Sequence, residues 1–385
     1  MKVSLVGPSF IRNDAISHNI TNKARYFLQR SDEVQIFFQH KIDDPPEDIS
    51  QWVSYITVEE ALYDGIYSGT HPKGLEFLFE SDLIAVDYPV YYELAHLLRF
   101  RFKGVTVFDY HGITPIEFWG TGKHIELLKK GIENIPLGRW ADYSIAHSDF
   151  TRRELSEQYG FDSNRVIVQP YMVALDQFTP GPKDEQLVRK YELEGAPVLL
   201  YVGRMAGNKR ISDLVDGLTP IKKKFPNVKL LLVGDHRSIP YKPHVFSAYK
   251  RGFFNGLLSS FVFTGPVDHA ELPRYFNTCD AYVTASLHEG FCIPVVEAMA
   301  CGKPVVSSAA AALPSTIGPG GLLFEPKNVF SYAKNVIKIL ESRNEGTNGL
   351  YNILSQGGLR HVTEFSKSNY KKTWDDILQQ VLNKN

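Results

Sequence analysis

The sequence predicts an α/β protein built from two doubly wound halves, and three observations lead there. Short β-branched or apolar runs alternate with amphipathic segments along the chain, the pattern of βαβ units around parallel sheets. The length, 385 residues, is more than one hydrophobic core usually serves. Near the middle, the Pro- and Gly-bearing stretch QPYMVALDQFTPGPKDE interrupts the alternation and marks a seam at about residue 172.

The first half, residues 1–171, opens on the strand signal KVSLVG and repeats it at DEVQIFF, SDLIAVDYP, GVTVFDYHG, ADYSIAHS and NRVIVQPY. The second, residues 172–365, restarts at PVLLYVG and continues through VKLLLVG, FVFTG, AYVTAS and KPVVSS. YYELAHLLRFRF, SDFTRRELSEQYG, ISDLVDGLTPIKKKF and AELPRYFNT read as helices between them. Asp268, with Glu271 three residues on, predicts a capping box for the last of these. The tail, residues 366–385, reads as a helix with Tyr370, Trp374, Ile377 and Val381 on one face. Open α/β sheets bind ligands beyond the carboxyl ends of their strands, and pockets favour domain interfaces, so a cleft between the halves is the expected site.

Composition narrows the partners. Lys plus Arg number 42 and Asp plus Glu 43, so the global basic field that nucleic-acid binding uses is missing, and small-molecule partners are expected. MKVSLVGPSF carries no basic region and longer apolar core of a signal peptide, and no window approaches a membrane-spanning run. Cys279, Cys292 and Cys301 lack metal-ligand spacing and are odd in number, so they read as packing residues in a reducing cytoplasm.

The most informative stretch is SLHEGFCIPVVEAMACGKPVV, residues 286–306. Glu289 leaves the end of the AYVTAS strand, Pro294 suits a first helical turn, and Glu297 lies about one turn further in. A helix start offers unpaired amides and partial positive charge to an anion, while carboxylates accept hydrogen bonds from hydroxyls. Phosphate plus hydroxyls describes a nucleotide sugar, although a Glu early in a helix also suits the macrodipole without a ligand. Upstream, LLYVGRMAGNKRISDL sets Arg204 after a strand and Lys209 before a helix, two cations on one loop of the kind that suits a diphosphate. The same loop, taken alone, also reads as a solvated surface turn. His111 closes GVTVFDYHG at a strand exit; Asp109 and Tyr110 beside it fit either core or cleft.

Residues 286–306 resemble the donor-sugar signature of the retaining glycosyltransferases of family 4. That resemblance implies the GT-B fold, two Rossmann-like doubly wound domains facing a central cleft, with the terminal helix crossing back to the N-terminal domain. It implies a hexosyltransferase that moves a sugar from a UDP- or GDP-sugar to an acceptor hydroxyl with retention, on a glycan or lipid-linked acceptor. Arg204 and Lys209 would hold the donor diphosphate as the glycosidic bond breaks. Glu289, with the backbone of Gly290, Phe291, Cys292 and Ile293, would contact the sugar, and Glu297 the ribose hydroxyls. His111 would position the sugar, with a general-base role as the lesser alternative. Backbone at Val267 would meet the base, with Gly234 to Arg237 lining the same pocket.

Gly7 falls in the place of the family's N-terminal donor loop, GPSFIRNDAISHNI, though the paired-glycine form is missing. Asn13, Asp14 and His18 are polar candidates for the acceptor pocket, with turn and N-cap roles equally open. No Asp-x-Asp element sits where it would hold a divalent ion on the diphosphate, so metal-independent turnover without a cofactor is expected. A nucleotide-sugar epimerase of the same fold and a non-catalytic sugar-nucleotide or glycan-binding protein are the rival readings. KHIELLKKGIENIPLGRW, with Lys123, Lys129, Lys130 and Arg139, suggests a peripheral contact with the inner membrane surface, against the alternative of a solvated helix face.

Overall fold

The computed structural model describes residues 1–12, 14–58, 75–119 and 124–382. The chain divides into two compact units: one comprises Met1–Pro115, Lys123–Met172 and Ser368–Asn385, the other Ile116–Gly122 and Val173–Lys367.

In the N-terminal unit, β1 (Lys2–Ser9), β2 (Glu33–His40), β3 (Val53–Tyr55), β4 (Leu83–Tyr88), β5 (Val105–Tyr110), β6 (Tyr143–Ala146) and β7 (Val166–Val168) form a seven-stranded sheet. Its order is β3-β2-β1-β4-β5-β6-β7, with every neighbouring pair parallel. All six residues of both β4 and β5 are buried, as expected of strands covered on both faces. The order of strand addition reverses between β1 and β4, where Val3 pairs with Leu83 and Val6 with Val86. The helix Ala15–Gln29 starts at Asp14, whose carboxylate accepts from the amides of Ile16 at 3.0 Å and Ser17 at 3.2 Å, the ordinary work of an N-cap. Asn13 lies outside the described residues.

The terminal helix Lys367–Leu382 belongs to this unit, and its Tyr370, Trp374, Ile377 and Val381 face is buried in one cluster with Val3, Leu5, Phe27 and Phe38. Trp374 is fully buried, edge-on to Phe27 at 5.3 Å and stacked on Tyr26 at 6.0 Å. Asp375 accepts from the Tyr26 hydroxyl at 2.6 Å and pairs with Arg30 at 2.8 Å.

In the C-terminal unit, β8 (Val198–Val202), β9 (Lys229–Val233), β10 (Phe261–Gly265), β11 (Ala281–Thr284), β12 (Val305–Ser308) and β13 (Gly321–Phe324) form a six-stranded parallel sheet of order β10-β9-β8-β11-β12-β13. The helices Ile211–Lys224 and Val329–Glu341 bury Leu214, Val215, Tyr332 and Val336 against Leu199, Leu230, Val283 and Val306. They pass closely at Gly217, where a Cβ would stand 2.3 Å from the Tyr332 ring. Here the strand order reverses between β8 and β11, the switch point at which doubly wound sheets bind ligands.

Three expectations are corrected. Asp268 makes no side-chain cap; a 3-10 turn, His269–Glu271, precedes the helix Leu272–Thr278, and Glu271 pairs with Arg274 at 3.0 Å. The Glu271 amide that such a box would use donates instead to the Asp268 main-chain carbonyl at 2.9 Å. YYELAHLLRFRF forms a 3-10 helix, Glu93–Arg99, instead of an α-helix. Gly7 is a strand residue: β1 runs on to Ser9, and a Cβ at Gly7 would stand 2.9 Å from Ile20 and 3.2 Å from Phe38. Its missing side chain lets the first helix pack on the sheet. Among the described residues no helix is long and apolar enough to cross a membrane.

Candidate active site

At the switch point of the C-terminal unit, the loops that follow β8 and β11 are tied together. After β8 the chain turns at Gly203, with φ +152°, and the Tyr201 hydroxyl donates to the Arg204 carbonyl at 2.9 Å. A 3-10 turn, Gly207–Lys209, leads to Arg210, which is left-handed at φ +53° and opens the helix Ile211–Lys224. Asn208, buried beneath the turn, accepts at its carbonyl from the Leu287 amide at 2.8 Å and donates through Nδ2 to the His288 carbonyl at 3.2 Å. These bonds join the two loops, and the Lys209 ammonium meets the Glu289 carboxylate at 2.5 Å, their side chains 12% and 13% exposed.

Burial alone would raise the Glu289 carboxyl, but the Lys209 ammonium outweighs it and holds the group below its usual value. Beyond Glu289, Cys292 adopts φ +81° and stands as N-cap of the helix Ile293–Ala300 without a side-chain cap bond. A non-glycine residue held left-handed is a strained feature of the kind that clusters at functional sites. The helix start it creates leaves first-turn amides without intrahelical acceptors. Phe291 is buried edge-on to Phe365 at 5.2 Å, and its carbonyl accepts from the Thr316 hydroxyl at 2.8 Å. It anchors the loop from below.

Glu297 is 2% exposed, and its Oε1 meets His269 Nε2 at 3.0 Å. The hydrogen bond to Glu297 raises His269 above the usual imidazole value. Val267, two residues before His269, is half-buried on the loop after β10. At the end of β9, Gly234 has φ +144°, and a Cβ there would stand 2.0 Å from the Gly203 carbonyl, so both strand exits need glycine. Asp235 accepts from the amides of Arg237 and Ser238, closing a tight turn. Arg204 is exposed. The predicted Lys209 and Glu289 are thus in contact, and Glu297 has a partner in His269, a histidine that no sequence motif marks.

His111, just beyond β5 in the N-terminal unit, sits in a buried network that its sequence neighbours do not reveal. Its Nε2 meets Asp87 Oδ1 at 2.9 Å and its Nδ1 meets the Tyr171 hydroxyl at 2.5 Å. A carboxylate only accepts, so Nε2 carries the proton and Nδ1 accepts from Tyr171. Both ring nitrogens are engaged within the unit. Lys23, fully buried, places its ammonium 2.5 Å from Asp87 and 2.6 Å from Asp109. Burial alone would lower it, but the two carboxylates hold it above its usual value.

His147 accompanies them, its Nδ1 bonded to the Gln169 carbonyl at 2.8 Å and its Nε2 2.8 Å from Asp109 Oδ1, off the angle of a hydrogen bond. Burial would raise Asp109, yet Lys23 and then the two histidines hold it well below the carboxylate range. Asp109, His111 and His147 each bring one ligand atom within 4.8 Å of the others, with the Lys23 ammonium already supplying counter-charge there. Asp109 and Tyr110, which fitted core or cleft equally, are both core. Asp14 is a helix cap and His18 is exposed.

Known proteins resemble this chain in part of its sequence and in its fold. Residues 183–353 match the family described as glycosyl transferases group 1, so the segment carrying the switch-point site has that family's sequence pattern. Over 99% of its length the chain superposes on all of Anabaena HepE, solved in complex with UDP, with a TM-score of 0.77 and 20% identity. The fold is GT-B, two Rossmann-like parallel-sheet units.

Among curated relatives, the chain is similar to the O-antigen chain mannosyltransferase B of Escherichia coli, 26% identical over 61% of this chain and 58% of that protein. It is also similar to the GDP-mannose-dependent alpha-mannosyltransferase of Mycobacterium tuberculosis, 31% identical over 49% of this chain and 43% of that protein. The chain thus spans about half the length of the curated relatives it matches.

Proposed function

We propose that the protein is a retaining glycosyltransferase that moves a hexose from a nucleoside diphosphate sugar to an acceptor hydroxyl of a glycan or lipid-linked substrate. The observation that carries this reading is the Lys209–Glu289 contact at the switch point, beside a helix start opened by a left-handed Cys292. Lys209 and Arg204 supply positive charge where a diphosphate accumulates negative charge as the glycosidic bond breaks, and preorganised charge of this kind stabilises the transition state. Glu289 and the Gly290 to Ile293 backbone take the sugar, Glu297 takes ribose hydroxyls, and Val267 lies on the base side. The two glutamates are holders of hydroxyls and do not act as an acid/base pair.

The related mannosyltransferases and the UDP complex of the structural neighbour support a nucleotide-sugar donor. With cations and helix amides in place for the diphosphate, turnover is proposed to be metal-independent; loss of activity in chelator, restored by magnesium or manganese, contradicts that. His111, tied to Asp87 and Tyr171, is assigned a positioning role toward the sugar. Three free cysteines, with burial pushing the Cys279 and Cys301 thiols up to about 12, support a reducing cytoplasmic setting.

The test is incubation with UDP- and GDP-hexoses, with and without an acceptor glycan, followed by NMR of the anomeric centre. An α-linked product from an α-donor is expected. An isomerised nucleotide sugar with no transfer assigns the epimerase instead, and an unreacted donor that still binds assigns a binding protein.

A further inference from the structure

The outer face of the helix Lys242–Phe254 in the C-terminal unit carries an apolar stripe that the proposed reaction does not use. Phe246, Phe253 and Phe254 are 70%, 67% and 73% exposed, and Ile239 just before the helix is 81% exposed. The same helix buries Val245, Ala248 and Gly252 against its own unit. At 3.6 residues per turn, Lys242, Phe246, Lys250, Phe253 and Phe254 fall together on the side away from those three. Exposed large apolar groups in a contiguous patch mark an interaction surface.

Charge identifies the partner. From His236 to Val267 the sequence contains no Asp or Glu, while Arg237, Lys242, Lys250 and Arg251 are all exposed. Asp216 pairs with Arg251, and Asp235, just before this segment, accepts from amides of its own turn, while Lys242 and Lys250 stay exposed. Phenylalanines interleaved with lysines along a convex helix face are the pattern of a helix lying in a lipid interface, with rings among the acyl chains and ammonium groups reaching the headgroups.

The basic segment singled out in the N-terminal half is less suited. There Lys129 lies 3.9 Å from Glu133, Lys130 sits over the Tyr91 ring, and Glu126 and Glu133 interrupt the positive charge. We propose that the Phe246, Phe253 and Phe254 face, with Lys242 and Lys250, docks the protein on an anionic bilayer surface, independently of the reaction it performs.

The experiment is co-sedimentation of the full chain with vesicles of phosphatidylcholine alone and with about 30 mol% phosphatidylglycerol. Binding is expected to the anionic vesicles only, and to weaken as added salt shortens the screening length. The triple variant Phe246→Ser, Phe253→Ser, Phe254→Ser should lose it. Lys242→Gln with Lys250→Gln should weaken it roughly fivefold per charge. Because all five side chains are exposed, the variants should keep the wild-type unfolding midpoint. Equal binding by the triple variant, equal binding to neutral vesicles, or no binding at all would overturn the proposal. So would a dimer in sedimentation velocity that the triple variant disperses while lipid binding is absent, since the face would then be covered by a second copy.

Discussion

Replacing Lys209 by Met removes the cation that meets Glu289 while keeping a side chain of similar length. In the native protein the ammonium lies 2.5 Å from a carboxylate that is 13% exposed. Removing one partner of a buried pair typically costs about 3–5 kcal/mol because the other charge stays desolvated; partial solvent access brings the expectation here to about 2–3 kcal/mol. The loss should depend on pH in a definite direction. In the wild type the Glu289 carboxyl is held below its usual 4.5, so its stabilisation is present above that value and lost as pH falls through the folded-state pKa.

In the Lys209→Met variant the main influence opposing burial is gone and the same carboxyl rises, with only Ser286 and His288 left to hold it down, so the deficit is largest near neutrality and closes in acid. Urea denaturation at a series of pH values measures this. The double variant Lys209→Met, Glu289→Gln should recover most of the lost stability, because neither charge remains. It should still transfer sugar at least about 10²–10³-fold more slowly, the cost of losing Lys209 as one preorganised donor, with the Glu289 carboxylate's contact to the sugar lost besides. A single variant within about 0.5 kcal/mol of wild type at neutral pH, or a deficit that does not close in acid, would refute the coupling argued here.

Three further outcomes follow from other parts of the structure. Burial pushes Glu154 from its usual 4.5 up to about 7, so this carboxylate costs stability progressively as pH rises from the lower value to the higher and in full above it; Glu154→Gln should stabilise by roughly 2–3 kcal/mol at pH 8 and by almost nothing at pH 4, measured by urea midpoints. Lys23→Met leaves Asp87 and Asp109 buried without their shared cation and should cost about 3–5 kcal/mol; a loss below about 1 kcal/mol would show that the network does not need that charge. Gly234→Ala would place a Cβ 2.0 Å from the Gly203 carbonyl at φ +144°. It should cost about 3 kcal/mol or more and lower nucleotide affinity by displacing the loop that carries Arg204; an unchanged thermal midpoint would contradict it.

The central strands were legible because burial on both faces leaves continuous apolar runs: LIAVDY and VTVFDY are wholly buried. The strands absent from the sequence reading, β3 and β13, are sheet-edge strands of three and four residues. Edge strands are kept short and lack that hydrophobic signature. Asp268 and Glu271 had capping-box spacing, but a 3-10 turn uses the Glu271 amide for the Asp268 main-chain carbonyl, and the Glu271 side chain pairs with Arg274. At the site, Arg204 and Glu289 were marked by local motifs just beyond a strand, Lys209 by the loop that leads into the next helix and Glu297 by the helix start that follows Glu289.

The Lys23 network was invisible for the opposite reason. Its members are 64 and 86 residues apart, and only the parallel register of β4 with β5, which sets Asp87 beside Asp109, brings them under the first helix. His269 gave no spacing signal either. Its neighbour Val267 was already assigned to the base side, so a polar residue facing Glu297 from that loop was the available clue.

The central claim is that the C-terminal unit holds a nucleoside diphosphate between its cations and Glu297. Titration of UDP, and separately GDP, followed by unfolding temperature tests it most directly. At a hundred times its Kd, the correct nucleotide should add about 2.7 kcal/mol of stability, and Lys209→Met or Glu297→Ala should remove most of that gain. No stabilisation by either nucleotide, or an undiminished gain in both variants, would contradict the account.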